Sequence, residues 1–259
     1  MKITNIEITK SKATLSFDNH PDVVLPIDIY YENYLAVDDE ISGEKIKQII
    51  KISQRASFQR YAFNLFSRKA YTEAQITEKL KNKGATNTDI EIIIDRLKKA
   101  YLLNDRNFIN DFLQLAKERG YGKHKILQKL TQAGIPKYLL QQLQFNEAEE
   151  MEKAQFLFPK LLNKYRNYNA HQQQEKVYRA FMEAGYEREV VIQVLANYDF
   201  VDVARDYTLL QRDLAKAIRL YKKISDNYEK KAKITRYLLQ RRYNYNDILK
   251  VVEANNDND

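Results

Sequence analysis

The sequence predicts a mainly α-helical chain: tandem three-helix repeats forming an elongated, curved solenoid, with a small β-strand cap at the N-terminus. Three observations predict it. A frame of apolar residues around a helix-ending glycine recurs along the chain. Glycine and proline are scarce, six and four in 259 residues, while 30% of side chains are charged, which suits helices joined by short connections. The first stretch reads instead as β-prone runs broken by turn residues. The expected organisation is a strand-and-helix cap over 1–53, repeats over 54–103, 104–146, 147–199 and 200–253, and a disordered tail over 254–259.

The cap comes first. Ile3, Ile6 and Ile8 form one β-prone run, and Ala13, Leu15 and Phe17 alternate onto one face of a second. A third run, VVLPI, follows the turn-like DNHPD, and Pro26 holds it at an edge or ends it. A sheet of two or three such strands is marginal alone and needs the following helices to pack on. A helix is expected from Ser42, with Ile46, Ile49 and Ile50 on one face.

The frame is clearest when aligned on glycine. Gly84, Gly134 and Gly185 lie 50 and 51 residues apart, and the frame returns 57 residues later at Arg242. Eight residues earlier stand Ile76, Ile126, Val177 and Ile234; four earlier stand Leu80, Leu130, Phe181 and Leu238. Six residues later come Ile90, Leu140, Val191 and Ile248, and nine later Ile93, Leu143, Val194 and Val251. The i, i+4 spacing puts the first two columns on one helix face, and glycine supplies the left-handed residue that ends the helix. Thr72 with Gln75 reads as a capping box, and Tyr71 with Ile76 as the hydrophobic staple. Gly122, Tyr121 and Ile126 repeat that arrangement, whereas Gln172 and Glu229 fall at the tyrosine's position in the last two copies. Each copy thus reads as a first helix, a capped middle helix and a third helix. Arg242 in a left-handed turn would cost about 1 kcal/mol, so the fourth turn is expected to differ in shape. Pro159 is expected to kink or break the first helix of the third copy.

Little in the chain suits catalysis, and no enzyme activity is expected. There is no cysteine, which excludes disulfides and thiolate zinc sites and points to a reducing cytoplasm. His20, His124 and His171 are scattered without metal-ligand spacing, and read as surface histidines. The six glycines form no phosphate-cradling loop, so no nucleotide or other cofactor is expected. The pairs Asp38–Asp39 and Glu149–Glu150 read as helix-start carboxylates that favour the dipole. No segment reads as a membrane span or a cleaved leader.

The net charge of +8 is unevenly placed. Residues 1–53 carry six basic and nine acidic side chains; residues 216–242 carry ten basic and two acidic. A concentrated basic segment suits a phosphate-rich partner. The candidate contacts are Lys222, Lys223, Lys230, Lys231, Lys233, Arg236, Arg241 and Arg242. Tyr221, Tyr228, Tyr237, Tyr243 and Tyr245 interleave with them, either stacking on bases or completing the core. Secondary candidates are Lys79, Lys81, Lys83, Lys98 and Lys99, and a further group of Lys123, Lys125 and Lys129, each as readily a solvated face.

The stretch RYAFNLFSRKAYTEAQITEKLKNKG with AYLLNDRNFINDFLQLAKERGYGKHKILQKLTQAGIP resembles the RecX family, bacterial regulators of the RecA recombinase. The matching residues are Arg68, Thr72, Leu80, Gly84, Asp105, Phe108, Gly134 and Ile135, and the match is strongest over 55–145. Gln75 stands where the family usually has Glu, and Ala133 where it often has Lys. Length and the strand-built head agree with its longer, Gram-positive-type members. The resemblance implies that the chain binds RecA–single-stranded DNA filaments in their groove; a monomer is expected because each repeat already has neighbours to pack against. It would hinder ATP hydrolysis and strand exchange, or promote disassembly, in recombination and DNA repair. Whether double-stranded DNA is also bound stays open. Asp105 is a family signature; by its chemistry, Asn104 or Asp105 is an N-cap worth about 0.5–2 kcal/mol. Two other readings remain: a sequence-tolerant DNA-binding repeat protein acting without RecA, and a helical scaffold for proteins alone.

Overall fold

The computed structural model describes residues 1–256, with backbone only for Asn255 and Asn256. Part of the expected tail, 257–259, lies outside the described residues. The chain is mainly helical, with a small three-stranded sheet at its N-terminus.

Strands β1 (Ile3–Ile8), β2 (Lys12–Phe17) and β3 (Val23–Pro26) form an antiparallel meander in sequence order. The alternation in β2 behaves as expected, with Ala13, Leu15 and Phe17 all buried. In β1 a register shift between Ile3 and Asn5 breaks the alternation, and Ile8 is exposed. Pro26 ends β3 and begins α1 (Ile27–Glu32). Ser42 caps α2 (Gly43–Phe66), accepting a hydrogen bond from the Lys45 amide at 3.2 Å. Ile46 and Ile49 complete the core beneath the sheet, with Ile50 packed at its edge. Asp38 and Asp39 are not a helix start. Asp38 has left-handed φ and pairs with Lys2, and Asp39 accepts from the Ala36 amide, so the pair shapes the turn before α2.

The helices that follow are α3 (Glu73–Asn82), α4 (Asn87–Lys99), α5 (Asp105–Glu118), α6 (Lys123–Gln132) and α7 (Lys137–Leu140). After them come α8 (Glu147–Lys164), α9 (Ala170–Ala184), α10 (Arg188–Ala196), α11 (Val203–Leu220), α12 (Asn227–Gln240) and α13 (Tyr245–Asn256). The middle helices are α3, α6, α9 and α12. Their two inward columns are buried in all four copies. The later columns are buried in the first, third and fourth copies, but Leu140 and Leu143 only partly. The reason is length: Glu147 starts α8 13 residues after Gly134, where Asp105 starts α5 21 residues after Gly84. The second copy therefore has room for a single-turn third helix.

Three expectations need correction. Helix α8 runs through Pro159 without a break, the missing amide freeing only the Gln155 carbonyl. Arg242 adopts φ 63°, beside 86°, 79° and 85° at Gly84, Gly134 and Gly185, so the fourth turn keeps the shape of the others. Its neighbours hold it there: the Arg242 amide donates to Leu239 at 2.9 Å, and Tyr243 is buried. Finally, Gln172 and Glu229 do not precede their helices. Asn169 and Asp226 are the N-caps, three residues earlier, and accept from the Gln172 and Glu229 amides at 2.9 Å. The middle helices of the last two copies are longer by about one turn.

The described residues divide into two compact units, 1–110 with 131–139, and 111–130 with the chain from 140 on. The first holds the sheet core and a second core of Ala62, Ile76, Leu80, Ile93 and Leu97 around Tyr71. The second holds an aromatic core built on Phe181, Tyr186 and Phe200, and another on Leu210, Leu214, Leu238 and Ile248.

One joint recurs wherever a middle helix meets the next copy. In the first unit, the Thr72 hydroxyl accepts from Gln75 and donates to the Ala133 carbonyl at 2.6 Å. In the second unit, the Gly122 amide donates to Ala184 at 2.8 Å, and the Asn169 side-chain amide donates to Arg241 at 2.8 Å. Each acceptor is the carbonyl just before a left-handed residue. A carboxylate from the next first helix then takes the amide that opens the middle helix. Asp105 accepts from Glu73 at 3.0 Å, Glu150 from Lys123 at 3.1 Å and Asp206 from Ala170 at 3.2 Å. Four amides at every helix start lack intrahelical partners, and a negative charge is favoured there. Asn104 is the cap of its own helix, accepting from Arg106 and Asn107, which frees Asp105 for its neighbour. The approach is close. A Cβ at Gly134 would strike the Ala74 methyl, and one at Gly185 would strike the Lys125 backbone.

Candidate nucleic-acid interface

The eight primary candidates sit around α12, and the helix turns about 100° per residue, so they do not share one face. Ile234 and Leu238 point inward. Lys230 and Lys231, both half-buried, flank that stripe on opposite sides, while Lys233 and Arg236 are exposed on the far side. Lys222 and Lys223 are exposed in the turn after α11. Several of these charges already have partners. Lys233 pairs with Glu229 at 2.7 Å. Arg241 lies 3.4 Å from the buried Asp213 carboxylate and 3.9 Å over the Tyr237 ring. Arg242 is exposed in its left-handed turn.

Asp213 organises this end. It is 5% exposed, accepts from the Tyr243 hydroxyl at 3.0 Å, and has Arg212 and Lys216 within 3.5 and 3.7 Å. Burial, then the Asp213 charge, pushes the Tyr243 phenol far above its usual range. The interleaved tyrosines therefore separate by role. Tyr243 is core, Tyr221 and Tyr237 meet edge to face at 6.4 Å beside the core, and Tyr228 and Tyr245 are exposed.

The first secondary group also divides. Lys98 pairs with Glu73 at 2.6 Å and Lys99 with Asp95 at 2.7 Å. With Lys81, Glu91, Asp95 and Thr77, Glu73 and Lys98 line a cleft of about 440 Å³ between α3 and α4, where three carboxylates face two ammonium groups. Lys79 and Lys83 lie on the other flank of α3, over Tyr71 at 5.5 Å and Tyr61 at 5.2 Å. Lys69 joins them, 4.7 Å from the Tyr71 centroid. Sequence reading missed Lys69, yet a signal existed: residues 45–72 contain seven basic side chains and no acidic one, a run divided by a cap boundary placed at 53.

The remaining group lies at the joint between α6 and α10. Lys123 and His124 both reach Glu187, at 3.2 and 2.9 Å, and hold its carboxyl below the usual range, the histidine contributing most. Lys125 is half-buried against Gly185, and Lys129 is exposed. Glu150 is buried beside them and paired with Lys153, so of the Glu149–Glu150 pair one residue caps a neighbouring helix.

Among the described residues no three metal-ligating side chains gather, and no helix is long and apolar enough to cross a membrane. His20 bonds the Pro21 carbonyl in a bend, and His171 lies in the first turn of α9.

Two segments match the RecX family: residues 60–97 its first three-helix domain, and residues 205–252 its third. The chain is 29% identical over 252 residues to a protein of Streptococcus agalactiae serotype V named "Regulatory protein RecX", covering 96% of this chain and 97% of that one. A protein of the same name from Streptococcus gordonii is 28% identical over 260 residues, covering 97% and 98%. In fold, the chain is similar to a crystal structure of regulatory protein RecX, with a TM-score of 0.57 at 22% identity, covering 76% of this chain and all of that one. The chain is thus similar, nearly end to end, to proteins named regulatory protein RecX, and two of its segments match that family's three-helix domains.

Proposed function

We propose that this chain regulates the RecA recombinase by binding RecA–single-stranded DNA filaments along their groove, where it slows ATP hydrolysis and strand exchange. The observation that carries the reading is nearly full-length similarity to proteins named regulatory protein RecX. The structure supports it in kind. The three-helix copies present cations on several surfaces. A regulator of this sort acts through binding alone, acting as a monomer that needs no cofactor. Its DNA contacts release counterions, so that share of affinity falls with salt.

The direct test compares retention of the chain on RecA-coated and on bare single-stranded DNA at one salt concentration. The reading expects markedly tighter retention on the coated strand. Equal retention on both would favour a DNA binder that acts without RecA. Replacing Lys230, Lys231 and Lys233 together by Glu is expected to weaken retention and flatten its salt dependence, with helicity unchanged by circular dichroism. Equal salt slopes for parent and variant would remove α12 from the interface.

A further inference from the structure

The two flanks of α3 differ in kind. The flank toward α4 carries Glu73 and Lys81, opposite Glu91, Asp95 and Lys98 of α4, so every cation there faces carboxylates. The flank toward α2 carries Lys79 and Lys83, and the linker between the helices adds Arg68 and Lys69. No carboxylate pairs with Lys69, Lys79 or Lys83 among the described residues. Helix α2 offers none after Glu44, and its own Arg55 and Arg60 are turned to Asp89 and Asp28.

Tyrosine faces replace carboxylates here. The ammonium groups of Lys69 and Lys79 share the Tyr71 ring, at 4.7 and 5.5 Å, and Lys83 sits 5.2 Å from the Tyr61 centroid. A ring face attracts a cation without neutralising it. It also orients a side chain whose freedom would otherwise be lost on binding. Two like charges over one ring repel, and an anion between them would relieve that repulsion. Tyr71 is itself 8% exposed and packed edge to face against Phe66, so no base can stack on it. The ligand this arrangement suits is a chain of phosphates, met without regard to sequence.

We propose that Lys69, Lys79 and Lys83, mounted on Tyr71 and Tyr61, form a contact for the phosphodiester backbone of single-stranded DNA. The proposal rests on the filament reading for its choice of DNA over another polyanion. Lys81, Lys98 and Lys99 lie outside the site.

The test uses the full chain and a fluorescent oligothymidylate, with binding followed by anisotropy across a salt series. Lys69, Lys79 and Lys83 are replaced together by Gln. A matched variant with Lys81, Lys98 and Lys99 replaced by Gln carries the same change in net charge. Each phosphate contact on a single strand contributes about 0.7 to the log–log salt slope, so the first variant is expected to lose about 2 and the second to keep the parent slope. Circular dichroism is expected to show parent-like helicity for both. Equal slopes for the two variants, or a parent slope in the first, would overturn the site. So would loss of retention on RecA filaments with the bare-DNA slope unchanged, which would assign the patch to an acidic protein surface. The titration contains no recombinase. A first variant with the reduced slope, in a chain whose parent leaves RecA untouched, supports the site while refuting the filament reading.

Discussion

The first and fourth copies solve the same problems with different residues. Each buries an aspartate against an arginine: Asp89 with Arg55 at 2.7 Å, and Asp213 with Arg241 at 3.4 Å. Each ends its middle helix in a left-handed residue, Gly84 in one and Arg242 in the other. Each lays cations on tyrosine rings, Lys69, Lys79 and Lys83 in the first and Arg241 in the fourth. The fourth copy has the larger charge, but part of it is committed to its own core. The first has fewer cations in its cluster, and among the described residues the ring-mounted ones have no carboxylate partner. Counting charges along a sequence measures supply; a structure shows which charges are still available to a partner.

The comparison can be broken most forcefully at Asp213. If Arg241 is structural, Asp213→Ala leaves the Tyr243 hydroxyl and that partly exposed guanidinium without their acceptor, costing about 3 kcal/mol in urea unfolding, the low end for breaking a buried pair. A loss below about 1 kcal/mol would return Arg241 to the pool of free cations.

Asp89→Asn is the parallel test in the first copy, expected to cost about 3 kcal/mol at neutral pH. The hydrogen bond from Thr86, then Arg55, holds the Asp89 carboxyl below its ordinary value of 3.8. A depressed carboxylate stabilises the fold fully above its unfolded value, and that contribution is lost as pH falls through the folded one. The gap between parent and variant should therefore be constant above about pH 5 and close in acid. A gap unchanged at pH 3 would contradict the assignment.

Smaller effects are expected at the turns. Gly84 has open space where a Cβ would stand, so Gly84→Ala pays only for its left-handed φ of 86°, about 1 kcal/mol. Arg242→Gly should move the other way, stabilising by about 0.5–1 kcal/mol as the same strain is removed. If it also weakens DNA binding, Arg242 is held in that conformation for its charge; if affinity is unchanged, its contact is absent.

What could be read in the sequence follows the range of the interactions. The capping box at Thr72 and Gln75 was legible because both partners lie within one turn. The inward columns were legible because burial of a helix face imposes a period. The last two caps were misplaced because alignment on glycine fixes only the end of a helix, and Asn169 and Asp226 start theirs a turn earlier. Asp105 was legible as a cap but not as the cap of α3, since its partner Glu73 lies 32 residues away. Glu150 and Asp206 do the same work with no local signature at all. The division of the α3 lysines into flanks with and without facing carboxylates needed the positions of α2 and α4.

If this chain acts on RecA filaments, as proposed, RecA ATP hydrolysis on single-stranded DNA is the first activity it should alter. The chain is titrated in at ratios well below one per recombinase. A fall in rate at those ratios is the predicted result, because one bound chain would obstruct several subunits along a groove. An unchanged rate at molar excess, with DNA binding of the chain verified separately, would contradict it.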